Sequence, residues 1–247
     1  SNLTVSELMY NPPGSSEDLE FIELVNLSGT DTIELGGAKF TEGVQFAFPI
    51  NTRLAPGGRL LLVSDEEAFV SHYGLGLPIV GQYDGLLDNS GEQLVIENST
   101  GNVILNFTYN DGSEWPSGSD GEGYSLVSRD SNLSDALSWR DSDERMGNPG
   151  ESDNTRFSGI PSTDEDGDGV EALLEYATGG DDRSPGNDLA TPVLSVSHDG
   201  HLEIAIKLNL SASDIDISLE QTSDLVTWEP LVGFERLAII RDQAKGT

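Results

Sequence analysis

The chain of 247 residues carries 44 acidic and 12 basic side chains, a formal net charge of −32 at pH 7. Charge of that sign repels phosphate backbones and anionic bilayers, which argues against nucleic acid as a partner and favours solubility and the attraction of cations. The absence of cysteine rules out disulfides, thiolate metal sites and thiol catalysis together, and no apolar run approaches the roughly 18 residues of a membrane span.

From Leu3 to about Pro149 the sequence predicts strand after strand. "LTVSELMY", "EFIELVN", "RLLLVS", "QLVIEN", "VILNFTY" and "YSLVSR" are short and rich in β-branched, aromatic and leucine residues, and most are bounded by turn formers. The turns are "NPPG" (Asn11–Gly14), "APGG" (Ala55–Gly58) and "NSGE" (Asn89–Glu92). One helix is predicted at "SDEEAFVSHYG". Ser64 or Asp65 caps it, Phe69, Val70 and Tyr73 form its apolar face, and Gly74 stops it. Short strands at this spacing predict a β-sandwich or barrel over residues 1–150.

Composition shifts at Gly150. Residues 151–190 read as a polar linker holding one short amphipathic helix, "VEALLEYAT", with Val170, Leu173, Leu174 and Ala177 on its apolar face and Gly179 and Gly180 as its stop. Strands return in residues 191–247 as "PVLSVS", "HLEIAIKLNL", "IDISLEQ" and "FERLAII", the first two joined through an Asp-Gly turn. A β unit of 57 residues is marginal alone, so it is expected to be part of a larger domain in a parent protein. The expected fold class is therefore mainly β: a sandwich, a loop-helix linker and a second, incomplete β domain.

The segment "TDEDGDGVEALLEY" (Thr163–Tyr176) holds the candidate site. Asp164, Asp166, Asp168, Gly169, Val170 and Glu175 fall on positions 1, 3, 5, 6, 7 and 12 of a calcium loop, D-x-[DN]-x-[DN]-G-x5-E. Alternate side chains on a tight coil converge three carboxylates on one centre, and Gly169 permits the bend around the ion. The Val170 carbonyl adds a neutral oxygen, and Glu175 closes the sphere from the helix. Ala172 at position 9 leaves that vertex to water. The alternative is a solvated acidic linker, but four carboxylates packed without a cation repel one another. Calcium is the expected cofactor, with affinity in the weak extracellular range of roughly 10⁻⁴–10⁻³ M or somewhat tighter.

Gly159 and Pro161 prevent a helix from leading into the loop, and Glu171 stands where a paired EF-hand has an apolar residue. The loop therefore resembles the single, helix-exiting calcium loops of dockerins and thrombospondin type 3 repeats. That resemblance implies that neighbouring acids, Asp181 and Asp182, can join the site. The first domain resembles the bacterial lamin tail domain through "SELMYNPPGSSEDLEFIELVN", "LAPGGRLLLVSD", "LLDNSGEQLVIEN", "FTYNDGSEWP", "GYSLVSRDSNLSDALSWR" and "GNPG". This implies an immunoglobulin-like sandwich with an interaction or attachment role and no catalytic residues. The calcium loop followed by "SDLVTW" (Ser223–Trp228) is similar to C-terminal regions of large secreted bacterial proteins, which implies a secreted or cell-surface location.

Nothing in the sequence favours an enzyme. The histidines, His72, His198 and His201, read as helix surface and turn decoration, and G-x-S-x-G, P-loop and H-E-x-x-H patterns are absent. Acid pairs such as Glu20 with Glu23, or Asp141 with Asp143, are expected by chance among 44 acids. Trp115, Trp139 and Trp228 read as core residues before sugar platforms. The expected function is a non-catalytic extracellular or cell-surface adhesion module whose linker helix calcium fixes, with an unidentified protein or glycan partner. The alternative is a carbohydrate-binding or targeting module serving an enzyme elsewhere in a parent chain.

Overall fold

The computed structural model describes residues 2–14, 16–129, 131–153, 157–180, 182–185, 192–209, 212, 215 and 218–232. These fall into two compact units, within Ser1–Asp153 and within Asn154–Arg236. The expected strand "FERLAII" and Asp181 lie outside the described residues. No helix among the described residues is long and apolar enough to cross a membrane.

The first unit runs β1 (Leu3–Met9), β2 (Phe21–Asn26), β3 (Ile33–Glu34), β4 (Lys39–Glu42), β5 (Arg53–Leu54), β6 (Arg59–Val63), α1 (Glu66–Tyr73), β7 (Ile79–Gln82), β8 (Gln93–Glu97), β9 (Val103–Thr108), β10 (Leu126–Ser128) and β11 (Trp139–Asp141). Six strands form one sheet in the order β11-β10-β1-β2-β6-β7, and a second sheet has the order β4-β8-β9. All pairs are antiparallel except β6 with β7. Those two are parallel because α1 carries the chain back between them, as a parallel crossover requires. The helix is built as its sequence predicts: the Asp65 side chain accepts from the Ala68 N–H at 2.8 Å, and Gly74 ends the helix at φ +94°.

Side-chain alternation builds the core. Leu8, Ile22, Leu24 and Leu62 from the larger sheet meet Phe40, Leu94, Ile96, Leu105 and Phe107 from the smaller one. The larger sheet is also covered on its other face, where Met9, Phe21, Leu61 and Val63 pack under Phe69 of α1. That second cover buries Phe21 on the face of β2 opposite the core. A bulge between Val5 and Glu7 shifts the register of β1. Val5 and Leu8 both reach the core as a result, while Glu7 turns to the outer face.

In the second unit, α2 (Ala172–Thr178) is followed by β12 (Val193–Val196), β13 (Leu202–Ala205), β14 (Glu220–Gln221) and β15 (Glu229–Pro230). β12 and β13 form an antiparallel hairpin, and β14 pairs with β15. The stretch "HLEIAIKLNL" is strand only at Leu202–Ala205 among its described residues. Asn209 accounts for part of this, because it donates from its backbone N–H to the Ala177 carbonyl and from its amide to the Tyr176 carbonyl, closing the end of α2.

Candidate metal centre

The acidic loop coils as its spacing predicts. Residues 157–171 form neither helix nor strand, so no helix enters the loop, and α2 leaves it at Ala172. Carboxylate oxygens of Asp164, Asp166 and Asp168 lie within 4.8 Å of one another. Ligand atoms that share one calcium ion at about 2.4 Å can be at most about 4.8 Å apart, so the three fit a common shell. Backbone N–H groups fix their rotamers. Asp164 accepts from Gly167 and Gly169, Asp166 from Asp168, and Asp168 from Val170, at 2.8 to 3.1 Å. Gly169 adopts φ +93°, a left-handed conformation that glycine takes without a steric cost.

The helix closes the loop. The N–H groups of Ala172 and Leu173 donate to the carbonyls of Thr163 and Pro161, which seats the first turn of α2 on the loop entrance. Glu175, one turn on, is 1% exposed, and neither of its carboxylate oxygens has a hydrogen-bond partner. Its neighbours are acids. Burial first, then the charges of Asp166, Asp168 and Asp182, push its pKa above the ordinary carboxylate value. Asp166 is pushed the same way, by lost solvation first and by Asp168, Asp164 and Asp182 next, and its Oδ2 is also without a partner.

Asp182 belongs to this group. Its Oδ1 accepts from the Glu165 N–H at 2.9 Å and its Oδ2 from the Thr163 hydroxyl at 3.5 Å, which ties the chain after α2 back to the loop. Gly180 packs against Glu175 so closely that a Cβ there would lie 3.1 Å from Glu175 Oε1. The sequence reading took Gly180 only as a helix stop; the acid five residues before it was the available signal.

The predicted apolar face of α2 needs correction. The helix buries Ala172, Glu175, Ala177 and Thr178, while Leu174 is 48% exposed and Leu173 is half-buried. The helix is rotated so that Glu175 faces the loop. Val170 lies before the helix rather than in it, and its N–H serves Asp168.

The other candidates disperse. His72, His198 and His201 are exposed, and the metal-competent cluster found among the described residues contains none of them. Glu23 accepts from Arg59 and Ser6, Glu20 from Tyr83 and Leu87, and Asp143 pairs with Arg140. Trp139 is fully buried and donates to the Leu133 carbonyl at 2.7 Å, Trp115 packs against it, and Trp228 is 54% exposed. No curated protein matches the chain. Residues 1–111 match the family model described as Lamin Tail Domain, in keeping with an immunoglobulin-like sandwich fold for the first unit, and the acidic loop lies beyond the matched region.

Proposed function

We propose that this protein is a non-catalytic extracellular or cell-surface interaction module in which one structural calcium ion orders the segment following the lamin-tail-like sandwich. Buried Glu175 carries the reading: both its oxygens lack a donor and face Asp166 and Asp168. A shielded carboxylate among carboxylates needs a cation or a proton. The side chains of Asp164, Asp166, Asp168 and Glu175, with the Val170 carbonyl, would hold the ion, and Asp182 stands beside them. Hard oxygen donors of this number and flexibility suit calcium better than magnesium, which demands a stricter octahedron. Calcium adds no chemistry here. It stabilises the folded loop by mass action and protects it from proteolysis.

Calorimetric titration of calcium into EDTA-stripped protein tests the reading. Saturable binding of about one ion is expected, with protection of residues 151–185 from limited proteolysis. Glu175→Gln should abolish both effects, and Asp182→Asn should weaken them. Weak binding that salt erases, with no protection, would leave the loop an acidic linker. The exposed indole of Trp228 favours a second reading, a glycan-binding accessory module. Glycan-array binding lost in Trp228→Ala would support it.

A further inference from the structure

The outer face of the larger sheet carries a polar cluster that calcium does not explain. Glu7 of β1 stands directly opposite Glu23 of β2, and the two are 2% and 0% exposed. They are buried because the chain after β11 folds back across them. This strap, Ser142 to Asp153, is held by both acids: the Asn148 N–H donates to Glu7 Oε1 at 3.1 Å and the Gly150 N–H to Glu23 Oε2 at 2.5 Å. Ser125, just before β10, donates to the same Glu7 oxygen at 2.5 Å. Gly147 passes so close that a Cβ there would lie 2.0 Å from Glu7 Oε1, and its φ of +72° also favours glycine. The Tyr73 hydroxyl of α1 holds the Met146 carbonyl at 2.7 Å.

Charge on this face does not balance. Arg59 pairs with Glu23, and Arg140 pairs with Asp143 and Asp153. None of the ion pairs among the described residues includes Glu7. Of two acids in register, only Glu23 has a guanidinium, and their repulsion is relieved when Glu7 is neutral.

We propose that the strap is a proton-dependent latch: it closes over Glu7 in its protonated form and loosens as that proton is lost. The surrounding groups agree. Burial pushes Glu7 up to about 8, against the lowering effect of Ser125 and Asn148 and with Glu23 and Asp153 adding to the rise. Burial also raises Tyr73, which stays neutral across the range that matters. The closed state has a Glu7 pKa raised above the ordinary carboxylate value of 4.5. Closure is therefore strongest below that value, weakens as pH rises towards 8, and levels off above it. The opening equilibrium should grow by up to about tenfold for each pH unit within that window. The strap is the chain's exit from the sandwich towards the acidic loop, so the latch sets how firmly that exit is anchored.

Hydrogen–deuterium exchange on the full chain from pH 5 to pH 9.5, corrected for intrinsic base catalysis, reads the latch directly. Protection in peptides covering 143–152 should fall steeply to about pH 8 and then level, while β8 and β9 stay protected. In Glu7→Gln the amide oxygen still accepts from Ser125 and Asn148 and cannot ionise, so strap protection should be independent of pH. Strap protection that is flat in the unaltered protein, or that still falls in Glu7→Gln, overturns the proposal. A ¹³C titration of glutamate side chains in the unaltered protein checks the same point without a variant. A buried carboxyl titrating near pH 8 and absent from Glu7→Gln spectra supports the latch, and its absence from the unaltered protein overturns it.

Discussion

Glu20 allows a quantitative test of how this sandwich treats buried acid. It is fully buried, its Oε2 accepts from the Tyr83 hydroxyl and the Leu87 N–H, and its Oε1 has no partner. Burial raises its pKa to about 7 despite those two donors, with Glu17 and Glu92 adding smaller contributions. The unfolded chain ionises near 4.5, so between that pH and 7 the folded state holds a proton that the unfolded state has released. Stability from this group is full below pH 4.5, falls through the window and is flat above 7. From pH 5 to 7 the loss approaches 1.4 kcal/mol per pH unit, and relaxation of the surrounding loops reduces the total to about 2 kcal/mol. Glu20→Gln removes the titration while keeping an acceptor for Tyr83 and Leu87. Urea denaturation, followed by the emission of buried Trp139, should show the variant gaining about 2 kcal/mol relative to the unaltered protein between pH 5 and pH 8. Comparing the difference at two pH values cancels the pH-independent cost of the amide. A difference unchanged across that range would refute the reasoning.

Two further substitutions probe the same framework. Arg59→Met strips Glu23 of its cation and leaves a fully buried carboxylate with only the Ser6 hydroxyl and the Gly150 N–H as donors. Chemical denaturation near neutral pH should show a loss of about 3–5 kcal/mol. Trp139→Ala opens a cavity beside Phe107 and Trp115 and orphans the Leu133 carbonyl. It should cost about 3–5 kcal/mol in the same assay, whereas exposed Trp228→Ala should stay within about 0.5 kcal/mol.

The sequence was most legible where local chemistry and tertiary role agree. β1, β2, β6, β8 and β9 are apolar runs closed by turn residues, and each forms near its expected place. β3, β5 and β11 gave no signal because they are two or three residues long. β4 buries only Phe40, and β7 is interrupted by Gly81, so neither shows a clear period. In the acidic loop, spacing alone picked out Asp164, Asp166 and Asp168, whose carboxylates lie within 4.8 Å of one another. Periodicity misread α2 because it counts apolar residues, and this helix turns an acid inward. Glu7 and Glu23 looked like ordinary polar strand positions in an acidic chain. Their burial depends on a strap more than 100 residues downstream, and a local pattern does not encode that contact.

Taken together, the buried glutamates supply the physical argument for calcium. Moving a carboxylate out of water is costly, and a folded chain can offset that cost with a cationic side chain, a proton or a metal ion. Glu23 has its guanidinium in Arg59. Glu20, like Glu7, has N–H and O–H donors on one oxygen, yet burial still raises its pKa, which favours retaining a proton. Glu175 has neither an arginine nor a donor. A proton on it would relieve one charge and leave Asp164, Asp166 and Asp168 still crowded within 4.8 Å. A divalent cation shared by the three aspartates would relieve that crowding, and only 12 basic residues stand against 44 acids to do it otherwise. That difference in what surrounds each acid, rather than the density of acid itself, separates a metal centre from a merely acidic linker. It also shapes the calcium titration, because an ion taken up at Glu175 would displace any proton held there, so binding should release protons and strengthen as pH rises.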